Sequence, residues 1–152
     1  MTDTSKKIAM GSDHAGYNLK KYLAEKIREQ GYEVVDVGTH SAEQVDYPVY
    51  GREAAEKVAA GSCDFGILVC GSGVGMSMTA NKVKGVRAVV CTEPLSAKMS
   101  RMHNDSNVLC LGERMVGIGM AWEIASTWLA TPFEGGRHAR RIGMIESCID
   151  DD

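Results

Sequence analysis

A chain of 152 residues has the length of one domain. A domain of this size buries roughly 70% of its unfolded surface and needs no disulfide or metal staple. Hydrophobic residues at 44% and charged residues at 24% exclude a disordered chain, and a net charge of -3, from 17 basic against 20 acidic side chains, speaks against nucleic-acid or membrane-surface partners.

No apolar run approaches the roughly 20 residues that cross a bilayer. The opening residues, Met1 to Lys7, carry no signal-peptide core. The five cysteines, Cys63, Cys70, Cys91, Cys110 and Cys148, are odd in number and lack paired spacing. Most sit in apolar runs, which fits a reducing, cytoplasmic compartment.

In chain order, Lys7 to Gly11 reads as a first strand, closed by Gly-Ser-Asp-His-Ala-Gly. Leu19, Leu23 and Ile27 then recur every fourth residue as the buried stripe of a helix that Gly31 stops. Glu33 to Val37 is a second strand. After a polar loop, Tyr47-Pro48 opens a helix running to Gly61, since proline suits a first turn. Phe65 to Cys70 is a continuous apolar run, the pattern of a central parallel strand covered on both faces.

Gly71-Ser72-Gly73-Val74-Gly75 breaks that strand, and a short helix is expected from Met76 to Val83. Arg87 to Cys91 is a fourth strand. Thr92-Glu93-Pro94 starts a helix with Leu95, Met99 and Met102 on one face, and Asn107 to Leu111 is a fifth strand. Two more helices follow: Gly117 to Ala130, with Ile118, Ala121, Trp122, Ala125 and Trp128 inward, and Gly136 to Ile149. Residues 150–152 read as a solvated tail.

Strands alternating with helices specify an α/β fold: a three-layer α/β/α sandwich with a five-stranded parallel sheet, in one domain spanning 1–152. Ligands of such sheets bind beyond the carboxyl ends of the strands. The loops around Asp13, Cys70 and His103 are the candidates. After Cys70, three glycines in five residues let backbone amides converge on an oxygen anion, and the following helix adds its positive end. Such surroundings favour a thiolate. Taken alone, Cys70 could equally be a core residue beside a tight turn.

The Gly-x-Gly-x-Gly spacing is not the dinucleotide fingerprint, no Gly-Lys-Ser/Thr follows, and no Cys-x-x-Cys pair exists. Asp13 can hold a sugar hydroxyl, accept a proton, or merely cap a helix; His14 can donate to a phosphate. His103, at a helix carboxyl end beside Asn104, can serve as a proton donor or stand as an ordinary surface histidine. Arg137 and Arg141 share a helix face and suit a phosphate or carboxylate, with Arg114 a further positive charge; a solvated face is the alternative. No spacing suggests zinc, and no metal is expected.

Seven segments in order carry a resemblance: residues 11–16, Asp46-Tyr47-Pro48, Cys-Gly-Ser-Gly-Val-Gly at 70–75, Ala80-Asn81-Lys82, Glu93-Pro94, His103-Asn104-Asp105 and Glu-Gly-Gly-Arg-His at 134–138. Together they make the chain, from Ile8 to about Ile145, similar to the ribose-5-phosphate isomerase B family, which includes galactose-6-phosphate isomerase subunits. The resemblance implies a Rossmann-like fold and a cofactor-free, metal-free aldose–ketose isomerase acting on a sugar phosphate. It also implies a homodimer or tetramer with each site shared between subunits, and a C-terminal helix packed on the partner.

By the same resemblance, Cys70 is the base, and Gly71, Gly73, Val74 and Gly75 lie along the loop whose amides stabilise the enediolate. Ser72 occupies the family's hydroxyl position. Asp13 and His103 are implicated in opening the sugar ring, Asn104 in holding the intermediate, and His14, Arg137 and Arg141 in binding phosphate with help from Arg114. The alternatives are an isomerase of a hexose 6-phosphate or tetrose phosphate, a non-catalytic sugar-phosphate sensor, and, against the loop spacing, a dinucleotide-dependent oxidoreductase.

Overall fold

The computed structural model describes residues 5–150, with side chains described to residue 148. Five strands form one parallel sheet in the order β2-β1-β3-β5-β4. They are β1 (Lys7–Ser12), β2 (Glu33–Gly38), β3 (Phe65–Cys70), β4 (Ala88–Val90) and β5 (Val108–Gly112). The helices are α1 (Tyr17–Glu29), α2 (Tyr47–Ala59), α3 (Val74–Ala80), α4 (Pro94–Asn104), α5 (Ile118–Ala130) and α6 (Arg137–Asp150).

The sheet side chains alternate between two apolar layers, as the two-residue period of a strand demands. Ile67 and Val69 of β3, with Ile8 and Met10 of β1, pack under α1, α4 and α5, where Leu19, Leu23, Ile27, Ile124 and Trp128 are buried. Leu68 and Cys70, with Ala9, face α2 and α3, where Ala54, Val58 and Met76 are buried. This is the expected three-layer sandwich, and parity along β3 decides that the Cys70 side chain belongs to the α2/α3 side. The chain runs outward from β1 to β2, then reverses through β3 toward β5. The loops after β1 and β3 therefore flank the switch in strand order, where a cleft opens.

Four expectations need correction. Leu95 and Met99 of α4 are exposed, and that helix buries Ala97, Ser100 and Arg101 instead. Ile118, expected inward on α5, is 61% exposed at the first turn, beyond the reach of the sheet. The helix after the glycine loop begins at Val74, not Met76, because Gly73 already takes the left-handed N-cap conformation. Strand β4 is trimmed to three residues at the sheet edge. Of the expected tail, the backbone of Asp150 belongs to α6, while its side chain and residues 151–152 lie outside the described residues, as do residues 1–4.

Candidate active site

A cleft of about 480 Å³ lies at the carboxyl ends of β1 and β3. It is lined by Asp13, Tyr47, Cys70, Gly71, Ser72, Val74, Gly75, Met78, Arg114 and Met115. Cys70 is 4% exposed, so its thiol is sheltered yet faces the cleft. The Gly73 amide donates to Cys70 Sγ at 3.2 Å, and the Val74 amide donates to Ser72 Oγ at 3.2 Å. Those two amides are therefore engaged within the loop rather than aimed at a ligand, and Gly73 itself does not line the cleft. This narrows the expected oxyanion donors toward Gly71, Ser72 and Gly75.

The loop path depends on Gly73. Its φ is 80°, and a Cβ there would lie 2.9 Å from the Leu111 carbonyl carbon. Gly73→Ala is expected to cost about 1–3 kcal/mol of stability and to withdraw the amide from the sulfur. Urea unfolding measures the first effect; a changed rate of thiol alkylation measures the second.

Asp13 is buried and accepts from the Gly16 amide at 3.0 Å, a local turn that opens α1, and the residue also lines the cleft. The amide third in α1 is taken elsewhere: Leu19 donates to Glu113 Oε1, so the acidic residue before Arg114 clamps β5 to that helix. The Arg114 amide donates to the Gly71 carbonyl at 3.1 Å, and its guanidinium lies over Gly71. The residue thus brings a positive charge to the cleft that Cys70 also lines. His14 Nδ1 accepts from the Val45 amide at 3.2 Å, which places the imidazole hydrogen on Nε2 in the neutral ring. The loop carrying Val45 is anchored by Lys20, which is 1% exposed and donates to Asp36 Oδ1 at 2.7 Å and to the Thr39 carbonyl.

Three further thiols are inert by environment. Burial pushes Cys63 and Cys91 up and Cys110 well up, so these remain protonated core groups.

His103, Asn104, Arg137 and Arg141 are not in this cleft. Of the three candidate loops, the one around His103 does not leave a carboxyl strand end, as its lead into the fifth strand already suggested. α4 runs back along the sheet, so His103 and Asn104 reach the amino end of β5, about 13 Å of strand from the end that carries Cys70. There His103 stacks on His138 with ring centroids 4.6 Å apart, and Arg137 and Arg141 are exposed on α6. Burial holds the His138 imidazole below its ordinary pKa, and the Arg137 guanidinium adds to the effect.

Sequence reasoning missed Tyr47, whose ring packs so closely on Gly75 that a Cβ there would lie 2.6 Å from it. The Asp46-Tyr47-Pro48 segment served as a helix start and as part of the resemblance, and neither gave its tyrosine a role at the site. Met78 and Met115 are exposed on the cleft rim, and the spacing that marks core methionines does not separate them from rim ones.

A parallel sheet with a cleft at its strand-order switch, lined by a thiol, a carboxylate and a guanidinium among apolar side chains, defines a doubly wound α/β protein with a small-ligand site. The chain belongs to the ribose/galactose isomerase family, which matches residues 8–145. It is 52% identical over 140 residues to ribose-5-phosphate isomerase B of Escherichia coli, covering 92% of this chain and 94% of that one. A solved ribose-5-phosphate isomerase B from Clostridium thermocellum superposes with a TM-score of 0.94 at 54% identity, over 95% of this chain and 98% of that one. The Mycoplasma genitalium enzyme, solved with ribulose 5-phosphate bound, superposes with a TM-score of 0.95 at 40% identity, over 99% of this chain and 100% of that one.

Proposed function

We propose that the protein is an aldose–ketose isomerase that interconverts ribose 5-phosphate and ribulose 5-phosphate. The observation that carries this reading is the Cys70 thiol facing the switch-point cleft beside Asp13 and Arg114, in a chain of the ribose/galactose isomerase family. The bound ulose phosphate of the Mycoplasma genitalium relative agrees with a five-carbon substrate.

In this reading Asp13 and His103 open the furanose. Cys70 takes the C2 proton of the aldehyde form, and the electron pair moves through C1=C2 to leave an enediolate. Return of that proton to C1, with net transfer of the O2 proton to O1, yields the ketose. The amides of Gly71, Ser72 and Gly75 and the Arg114 guanidinium face the charge that builds on O1 and O2, where preorganised donors act most strongly. His14, Arg137 and Arg141 anchor the phosphate, so binding far from the reacting carbons orients them.

One chain separates these groups, because Cys70 and His103 lie at opposite ends of the sheet. The complete centre is therefore built by two copies, each supplying its α4 end and α6 to the other's cleft. The exposed Leu95 and Met99 of α4 and Met144 and Ile145 of α6 are apolar surface for that association. Among the described residues no helix is long and apolar enough to cross a membrane, and the even burial of four of the five thiols suits a reducing, cytoplasmic setting.

Subunit mixing tests the reading. Cys70→Ala and His103→Asn chains are each expected to be inactive alone, and to regain about a quarter of native turnover after random exchange into mixed dimers, since half the dimers carry one intact centre. Deuterium from heavy water should enter the sugar only when turnover occurs. Mixing that restores nothing, from two folded and exchanging variants, removes the shared centre.

A further inference from the structure

Glu134 precedes α6, and its amide donates to the Met102 carbonyl at 3.1 Å, which fixes this loop against the end of α4. That bond brings three potential ligands together: His103 from α4, Glu134 from the loop, and His138 one helical turn later. Their donor atoms all lie within 4.8 Å of one another. Glu134 Oε2 is 3.6 Å from His138 Nε2 and 4.0 Å from His103 Nε2, both too long for hydrogen bonds. His138 is 7% exposed, and its buried Nε2 has no hydrogen-bond partner although it faces the carboxylate. A buried polar atom left in that state requires an explanation.

We propose that His103, Glu134 and His138 form a binding site for a divalent transition-metal ion of the zinc type, and that an ion there inhibits the enzyme by occupying the His103 nitrogen. Two imidazoles and one carboxylate are the ligand set that zinc accepts, while magnesium and calcium prefer oxygen alone. Bonds of about 2.1 Å require tetrahedral ligand atoms about 3.4 Å apart. Closure on the order of 1 Å, with the His103 ring turning out of its stack on His138 so that both lone pairs aim at one point, forms the site, and the movement falls to Glu134 and His103, whose side chains are 51% and 32% exposed, against a fixed His138. The ion leaves a fourth position to solvent. Arg137 and Arg141 on the same helix oppose the cation, so the site is weaker than a structural zinc site and exchanges with the medium. Zinc bound here takes the lone pair through which His103 would pass a proton. The inhibitory half of the proposal rests on the isomerase reading; the metal site does not.

The full chain is titrated with Zn²⁺ against a chromophoric chelator. One ion per chain is expected, and Glu134→Gln and His138→Asn should each weaken binding by about 100-fold or more. Because His138 is buried, the exposed Glu134→Gln variant decides if His138→Asn misfolds. Zinc affinity unchanged in Glu134→Gln, or a cobalt complex with the charge-transfer band of a thiolate ligand, overturns the site. Turnover should fall with zinc occupancy and return with chelator. A chain that isomerises unaffected at full occupancy overturns the inhibition, whereas a chain that binds zinc but never isomerises overturns the proposed function and leaves the site standing.

Discussion

Replacing Cys70 by alanine is expected to lower turnover by about 10²- to 10⁴-fold, the contribution of a well-placed general base. The variant should stay folded. Cys70 is a small side chain at the end of β3, packed against Ala9, Leu68 and Met76 in the α2/α3 layer, and removing one sulfur costs about 1 kcal/mol. Because Arg114 and the groups proposed to bind phosphate remain, KM should change far less than kcat. That split distinguishes a lost base from a collapsed cleft, which would raise KM as well. Steady-state kinetics together with circular dichroism checks both parts. Turnover within tenfold of the native chain would transfer the base role to another group.

The second large effect lies away from the chemistry. Arg101→Met is expected to cost about 3 kcal/mol, read from the urea midpoint. Arg101 is 6% exposed. It pairs with Asp105 at 2.9 Å, donates to the carbonyls of Ser106 and Thr131, and lies 4.9 Å from the Phe65 ring centroid and 5.7 Å from that of Trp128. Methionine fills much of the volume but leaves the buried Ser106 carbonyl, the part-buried Thr131 carbonyl and Asp105 Oδ1 without the Arg101 donor, with only Arg87 still on the other Asp105 oxygen. The same cluster continues through Trp128 Nε1, which donates to Ser106 Oγ, and on to Ser100. It joins α4, β5 and α5 beneath the turn where Asp105 adopts a left-handed φ of 46°. That turn carries His103 and Asn104, so the variant should also weaken whatever His103 contributes to catalysis. A loss under 1 kcal/mol would mean that the cluster is dispensable.

Much of the architecture was legible because its cues are local. Phe65–Cys70 reads as a strand from composition and is one, and the Leu19–Leu23–Ile27 stripe is buried as expected. The thiol, the glycine loop, Asp13 and Arg114 share a cleft because chain direction in a parallel sheet brings the ends of β1, β3 and β5 to one side. What failed was non-local. An apolar stripe such as Leu95–Met99 has the same period whether it meets a core or another molecule. Arg101 reads as a solvated charge until Phe65 and Trp128, distant in sequence, are seen to enclose it. His103 looked adjacent to the chemistry because its chemical type suited it, yet the return direction of α4 puts it at the far end. The grouping of His103 with Glu134 and His138 crosses some thirty residues with no regular spacing, so no motif announces it.

The placement of Cys70 and His103 at opposite ends of the sheet carries a kinetic consequence. If each working centre takes its thiol from one chain and its imidazole from another, catalysis obeys mass action in the protein itself: encounter between monomers precedes encounter with sugar. Dilution would then act like an inhibitor, and any surface change that loosens the pairing would silence chemistry while sparing every reactive group.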